Sequence, residues 1–304
     1  GPSLPESMGK LARLAGYAAG KHVGIWVWVR WSDVNNPANN WESMRSFFGE
    51  LAKTGIKGIK IDFMDSASRD RLAFYDAVAE NLAKNKLMVN FHGANTPTGE
   101  ERSWPHEMSR EGIYGGEQNI WGAIGGQHYC ALPFTRLVSG HADFTGGYFG
   151  HGPKLRGSSW ALQMAANIIY TSPILHWVSN PADMEAAFPK DSPEREVVRN
   201  IPSVWDETVV LPPSAIGKCA AFARRSGNQW YIALMNGDDR ERTISIPLDF
   251  LDKNTAYRAT VLRDLAEKND GWSVETRKAA SGNALSFTMR IKGGGIARLT
   301  PAEK

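Results

Sequence analysis

Apolar, β-branched runs alternate with helix-period stretches through the first ninety residues of this 304-residue chain. Residues 23–29 (VGIWVWV), 58–61 (GIKI) and 87–91 (LMVNF) read as buried strands. Between them, residues 41–53 place Trp41, Met44, Phe47, Phe48 and Leu51 on one helical face. Residues 68–84 do the same with Leu72, Tyr75, Val78, Ala79 and Leu82, and residues 11–20 form a helix ending at a glycine. Strand–helix–strand order of this kind predicts a parallel sheet with right-handed crossovers. A doubly wound sheet would carry a glycine-rich phosphate loop after a strand, and none is present. The expected fold class is therefore α/β, a (β/α)8-type barrel. About six candidate strands, against the eight that close a barrel, imply that its first strands are lacking.

In such a fold the chemistry sits where the strands end. The strand at residues 58–61 runs straight into Asp62. That acid also suits a loop start or a helix cap. Periodicity fades over residues 96–127, and a loop this long in a compact domain is usually functional. Residues 110–117 there read as a short strand with acids at Glu111 and Glu117. Residues 141–147 read as a strand end bearing Asp143, residues 158–170 as a helix, 173–178 as the last barrel strand and 194–200 as a short helix. Each acid has an ordinary role open to it: a surface pair for Glu111 beside Arg110, a turn cap for Glu117, a loop brace for Asp143.

Near Pro212-Pro213 the pattern changes to short strands at 220–225, 229–237, 243–246, 257–262, 285–291 and 295–299, with Ser226-Gly227-Asn228 and Asn236-Gly237 as turns. This predicts a small all-β sandwich over 213–304 after a partial catalytic barrel over 1–212.

Composition narrows the function classes. With 42% hydrophobic and 22% charged residues the chain is globular, and its net charge of +3 is spread without a basic block. Nucleic acid is not the expected partner, nor is a membrane, since no apolar run spans a bilayer. Two cysteines, Cys130 and Cys219, stand far apart and are expected as buried free thiols; no Cys/His spacing suggests zinc. Eleven tryptophans are unusual. Trp28, Trp31, Trp104 and Trp121 are candidate sugar platforms, with core packing the expected role for Trp28. His92 and Asn95, at a strand end, suit hydrogen bonding to sugar hydroxyls. Lys60 shares a strand face with Asp62, so it is expected to hold that carboxylate ionised.

Together these motifs resemble glycoside hydrolase family 97. The resemblance rests on Lys60-Ile61-Asp62-Phe63, Asn90-Phe91-His92-Gly93-Ala94 with Pro97-Thr98-Gly99, Arg110-Glu111-Gly112 through Gly116-Glu117, Leu132-Pro133-Phe134-Thr135-Arg136 and Asp143-Phe144-Thr145. It continues through Trp205-Asp206-Glu207-Thr208 to Trp230-Tyr231, so it covers nearly the whole chain. It implies a calcium-using glycosidase acting on α-galactosidic or α-glucosidic bonds. It further implies a large N-terminal β-sandwich not seen in this sequence, so the chain is expected to be either a fragment that pairs with a second chain carrying that half or a truncated product. The inverting branch resembles this chain but carries a Glu after the strand-end His, where this chain has Gly93. By resemblance to the retaining branch, Asp62 is the nucleophile and Glu117 the general acid/base. Glu111, with Glu117, is the calcium ligand set, and Lys60, His92, Asn95, Trp31, Trp104 and Asp143 are the substrate-binding set.

The function expected is thus a retaining, exo-acting α-galactosidase, periplasmic or secreted. An inverting α-glucosidase and a non-hydrolytic carbohydrate-binding fragment are the alternatives. Retention places the two carboxyls about 5–5.5 Å apart, inversion about 6.5–9.5 Å.

Overall fold

The computed structural model describes residues 4–151 and 153–302. The chain divides into two compact units. The first runs to Ile113 and takes in Ser139–Asp143; the second comprises Tyr114–Val138 and the chain from Phe144 onward.

In the first unit, helix α1 (Leu4–Ala19) precedes β1 (Trp26–Arg30), α2 (Trp31–Val34), α3 (Glu42–Lys53), β2 (Gly58–Asp62), α4 (Arg69–Lys84), β3 (Met88–Phe91) and β4 (Glu107–Arg110). The strands form one parallel sheet in the order β1-β2-β3-β4. A parallel bridge from Arg110 to Ala142 continues it. The registers place Trp28, Lys60 and Asn90 in one row and Val29, Ile61 and Phe91 in the next. Successive side chains on a strand point to opposite faces. Ile59, Ile61, Val89 and Phe91 are fully buried and pack with Met44, Phe48 and Leu51 of α3 and Phe74, Val78 and Leu82 of α4. Each such side chain contributes about 1.5–3 kcal/mol of burial free energy. The other face keeps the polar residues. Gly58 is needed on that face, because a Cβ there would meet the Trp26 ring at 2.5 Å.

The second unit holds α5 (Gly126–Ala131), α6 (Trp160–Ile169), α7 (Pro181–Ala187), α8 (Pro193–Arg199) and eight strands. These are β5 (Glu207–Val210), β6 (Cys219–Ser226), β7 (Gln229–Asn236), β8 (Arg242–Pro247), β9 (Tyr257–Asp264), β10 (Trp272–Ala279), β11 (Ala284–Met289) and β12 (Gly294–Pro301). Six form an antiparallel sheet in the order β10-β9-β12-β7-β6-β5, and β11-β8 forms a second layer. Ile244, Ile246, Leu285 and Phe287 close the core between the layers against Ala223, Ile232, Leu234, Val261 and Leu299. The larger sheet also carries α6 on its outer face, where every residue of the helix is buried. Burial on both faces explains why β6 and β7 read as nearly unbroken apolar runs. Cys130 and Cys219 are both buried free thiols, and burial pushes them up to about 12 and about 11.

Several predicted strands are shorter or absent among the described residues. The strand expected at 110–117 ends at Arg110, because the chain enters a left-handed turn at Gly112, φ +43. Residues 141–147 and 173–178 contribute only single parallel bridges, at Ala142 and between Gly146 and Trp177. Strands β5 and β10 carry few of the apolar residues that mark a strand. Both are sheet edges, and their exposed positions hold Glu, Thr, Arg and Lys. No described helix is long and apolar enough to cross a membrane.

Asp264, at the end of β9, accepts the backbone N–H groups of Arg290 (2.9 Å) and Gly294 (3.0 Å). Burial outweighs those bonds and raises its pKa from 3.8 to about 6. The folded state therefore holds this proton more tightly than the unfolded chain. Its stabilising effect is complete below pH 4 and is lost as pH rises through about 6. Urea unfolding should show the native protein losing up to about 3 kcal/mol across that window relative to Asp264→Asn. Parallel pH profiles for the two proteins would remove Asp264 from this role.

Candidate active site at the strand ends

Asp62 is the last residue of β2 and is 8% exposed. Its Oδ2 accepts the Trp28 indole N–H at 2.9 Å, and its Oδ1 accepts the backbone N–H of Phe63 at 2.6 Å. The second bond exists because the chain turns at once: Phe63 has φ +64 and Asp65 φ +45. Both values are uncommon for residues other than glycine. The turn is tied to the neighbouring strand end by Asp65 N–H donating to Gly93 O at 2.6 Å.

Lys60 does face the same side as Asp62, but its Nζ lies 2.8 Å from Asp143 Oδ2. The expected partner of Asp62 is therefore corrected: two neutral donors hold that carboxylate, and the ammonium serves Asp143. His92 joins the same carboxylate, its Nδ1 lying 2.8 Å from Asp143 Oδ2. The other ring nitrogen of His92 is 3.4 Å from Glu111 Oε1. Glu111 Oε2 accepts the Gly93 N–H at 2.6 Å, and the Glu111 N–H donates to Phe91 O at 2.8 Å. Asp62, Lys60, His92, Glu111 and Asp143 thus gather at the carboxyl ends of β2 and β3, beyond β4 and at the bridge after Ala142.

The sheet places Glu111 through a buried anchor. Arg110 is 1% exposed and binds Glu107 through two nitrogens (2.5 and 3.1 Å). It also reaches Glu100 and Asn95, both at 3.1 Å, and lies over the rings of Tyr75 and Phe91. Burial dominates at Glu107 and raises its carboxyl pKa against the pull of Arg110. Asn95, expected at the sugar, is instead a partner of this arginine.

Two more expectations are corrected. Trp31 packs away from the cluster, with the Arg71 guanidinium 3.2 Å above its ring and Phe74 against its edge. Trp104 lies beside His106, Met88 and Leu87, at the amino ends of the strands. Conversely Trp28, named as a candidate platform but with core packing as its expected role, is 49% exposed on the polar face. Its alternation with Val27 and Val29 was the available signal, masked by the uniformly apolar run.

Glu117 belongs to the second unit, on a 3-10 turn spanning Gly116–Ile120. Gly115 and Gly116 let the turn lie against Phe144 and Thr145, where a Cβ on either glycine would meet a backbone oxygen at 2.7 Å. Half-buried Glu117 borders a cavity of about 50 Å³ with Thr145, Tyr148, Lys154 and Gln163. Trp121 is 71% exposed.

A parallel βα sheet with acids at its carboxyl ends, followed in the chain by a two-layer β domain, defines an α/β protein with a C-terminal β domain. Residues 5–113 match the family described as Glycoside hydrolase 97, and residues 204–300 match Glycosyl-hydrolase 97 C-terminal, oligomerisation. A probable retaining alpha-galactosidase of Streptomyces bingchenggensis is 34% identical over 93% of this chain and 42% of its own length. A retaining alpha-galactosidase of Bacteroides thetaiotaomicron is 30% identical over 84% of this chain and 38% of its own. A family 97 enzyme from Pseudoalteromonas sp. strain K8, solved with acarbose, superposes with a TM-score of 0.82 at 24% identity, over 96% of this chain and 49% of that one. A beta-arabinopyranosidase superposes at 0.79 and 23% identity, over 95% and 48%. The chain belongs to glycoside hydrolase family 97. It spans about two fifths of the length of the curated relatives it matches.

Asp143 has no exposed side-chain area, and Lys60 is 16% exposed. Removing one partner of a buried charge pair costs about 3–5 kcal/mol. Asp143→Ala should destabilise the protein by that amount, measured by urea unfolding. A loss below about 1 kcal/mol, the range of an exposed pair, would mean that the contact is not a buried one.

Proposed function

We propose that the chain is the catalytic region of a retaining, exo-acting α-galactosidase, with Asp62 as nucleophile and Glu117 as general acid/base. The geometry of Asp62 carries this reading. Its two oxygens are each held by one donor at a strand end, so the carboxylate is fixed in orientation without being neutralised by a salt bridge. Attack by Asp62 on the anomeric carbon would form a glycosyl ester as Glu117 protonates the departing oxygen. Water, deprotonated by Glu117, would then release the sugar with its configuration kept. The names of the two curated relatives, both retaining alpha-galactosidases, support the retaining α-galactosidase reading.

Gly93 bears on the inverting alternative. Its φ is +56, and a Cβ there would approach the Phe63 backbone nitrogen to 2.9 Å. A side chain at this position, where an inverting enzyme would carry its base, has no room without a backbone shift. The αL conformation adds its own penalty for any residue but glycine.

Calcium is part of the proposal. Glu111 fits it in the chemistry of its donors, a buried carboxylate offering hard oxygens. Glu111 and Glu117 would hold the ion, which when bound would supply fixed positive charge beside the sugar. His92 and Lys60 would meet sugar hydroxyls from the strand ends. Substrate would be an α-galactoside or oligosaccharide, and the partner a chain segment carrying the N-terminal region.

Asp62→Ala should lower turnover of an aryl α-galactoside by at least about a thousandfold, as loss of a covalent nucleophile does. Azide should restore part of it by giving a β-galactosyl azide. Activity close to that of the native enzyme would remove Asp62 from the nucleophile role. Glu117→Gln should slow substrates with poor leaving groups most, since activated ones leave without a proton. Equal losses on both would rule out the acid role.

A further inference from the structure

The larger sheet of the β domain ends in two edges, β5 with four residues and β10 with eight. β10 pairs with β9 through all eight residues, without a bulge or a proline. No described strand pairs with its outer side, and residues 273, 274 and 276–278 are exposed. Natural edges are usually short, kinked or charged against pairing with another chain. On β10 only charge is left to do that, and it comes in both signs. Glu275 and Arg277 share one face, since side chains alternate along a strand. Glu275 Oε2 binds Arg263 at 2.8 Å, while its Oε1 lies 3.8 Å from Arg277. Both side chains are nearly half exposed, at 43% and 48%.

We propose that β10 pairs antiparallel with β10 of a second copy of this chain, about a two-fold axis at Thr276. Such an axis stands perpendicular to the sheet and keeps each face on its own side. Residues directly across from each other then share a face, so the axis passes at a residue and not between two. At Glu275, Arg277 or Lys278 it would oppose like charges, and at Val274 it would bring no charges together. At Thr276 it sets Glu275 opposite Arg277 of the partner subunit on both sides of the axis, and overlaps residues 273–279. Opposite charges directly across an antiparallel pair stabilise it, and like charges destabilise it. Arg277 would exchange a loose contact within its own strand for a direct partner, while Arg263 keeps its oxygen of Glu275. The two six-stranded sheets would become one continuous sheet. Residues 204–300 match a domain described as concerned with oligomerisation, which leaves open the surface used and favours a second copy as the occupant.

The full 304-residue chain would be followed by sedimentation velocity over about 1–100 µM, where a small interface dissociates. It should pass from 33.5 kDa to twice that mass. Arg277→Glu and Glu275→Arg should each weaken the dimer at least about tenfold, because each opposes like charges on both sides of the axis. Mixed in equal amounts, the two variants should dimerise again, since each then meets the opposite sign at both positions. A monomer at all concentrations, a dimer indifferent to both variants, or a mixture that stays monomeric would overturn the pairing. The axis is tested separately by Thr276→Cys, which places two thiols directly across from each other, within disulfide reach. Oxidised glutathione should link it into a dimer on a non-reducing gel, Cys130 and Cys219 being buried. Val274→Cys and Lys278→Cys should stay unlinked, because each lies about 13 Å from its own copy, four residues along the strand. Linkage through either of those, with Thr276→Cys unlinked, would overturn the axis at Thr276.

Discussion

The candidate site is organised around a buried negative charge. Asp143 has no exposed side-chain area, and a carboxylate so placed is tolerable only if cations and donors converge on it. Lys60 reaches it from β2 and His92 from the end of β3, both at 2.8 Å from the same oxygen. The acid itself follows the bridge that joins Ala142 to Arg110. The ends of β2 and β3 and the bridge beside β4 are thereby locked to one point. Asp62 lies two residues beyond Lys60 and Glu111 directly follows Arg110, so both take their positions from that lock. The requirement explains why Lys60, the one charged residue inside an apolar strand, occupies that position.

Much of this was legible in the chain. Strands β1, β2 and β3 and helices α3 and α4 lie where apolar periodicity put them, because each buries one face and pays solvent with the other. Asp62, His92 and Glu111 were also legible, as acids and a histidine at strand ends. Side-chain partners were not. Lys60 could serve Asp62 or Asp143 equally well on sequence, and only the sheet register decides between neighbours 83 positions apart. For Trp28 core packing was preferred over an exposed role because aromatic and aliphatic residues look alike in an apolar run. Its placement follows from strand phase: Val27 and Val29 turn to the helices, and Trp28 must turn the other way.

The region after β3 was the least legible. Its positions depend on a buried ion network around Arg110 and on glycines that let backbone touch backbone. Neither has a periodicity. Strands β5 and β10 were missed for a different reason, since an edge strand that faces water on one side carries no apolar alternation strong enough to detect. Asn95 and Trp104 sat near motif residues in sequence, and proximity along the chain proved a poor guide where the chain crosses from one end of a strand to the other.

The proposed chemistry turns on stereochemistry, because Asp62 suits retention and Gly93 carries no side chain at the position proposed for an inverting enzyme's base. The most direct test is proton NMR of an aryl α-galactoside during hydrolysis, reading the anomer released before mutarotation. The proposed mechanism predicts α-galactose as the first product. First release of β-galactose would mean inversion, and would contradict Asp62 as a nucleophile.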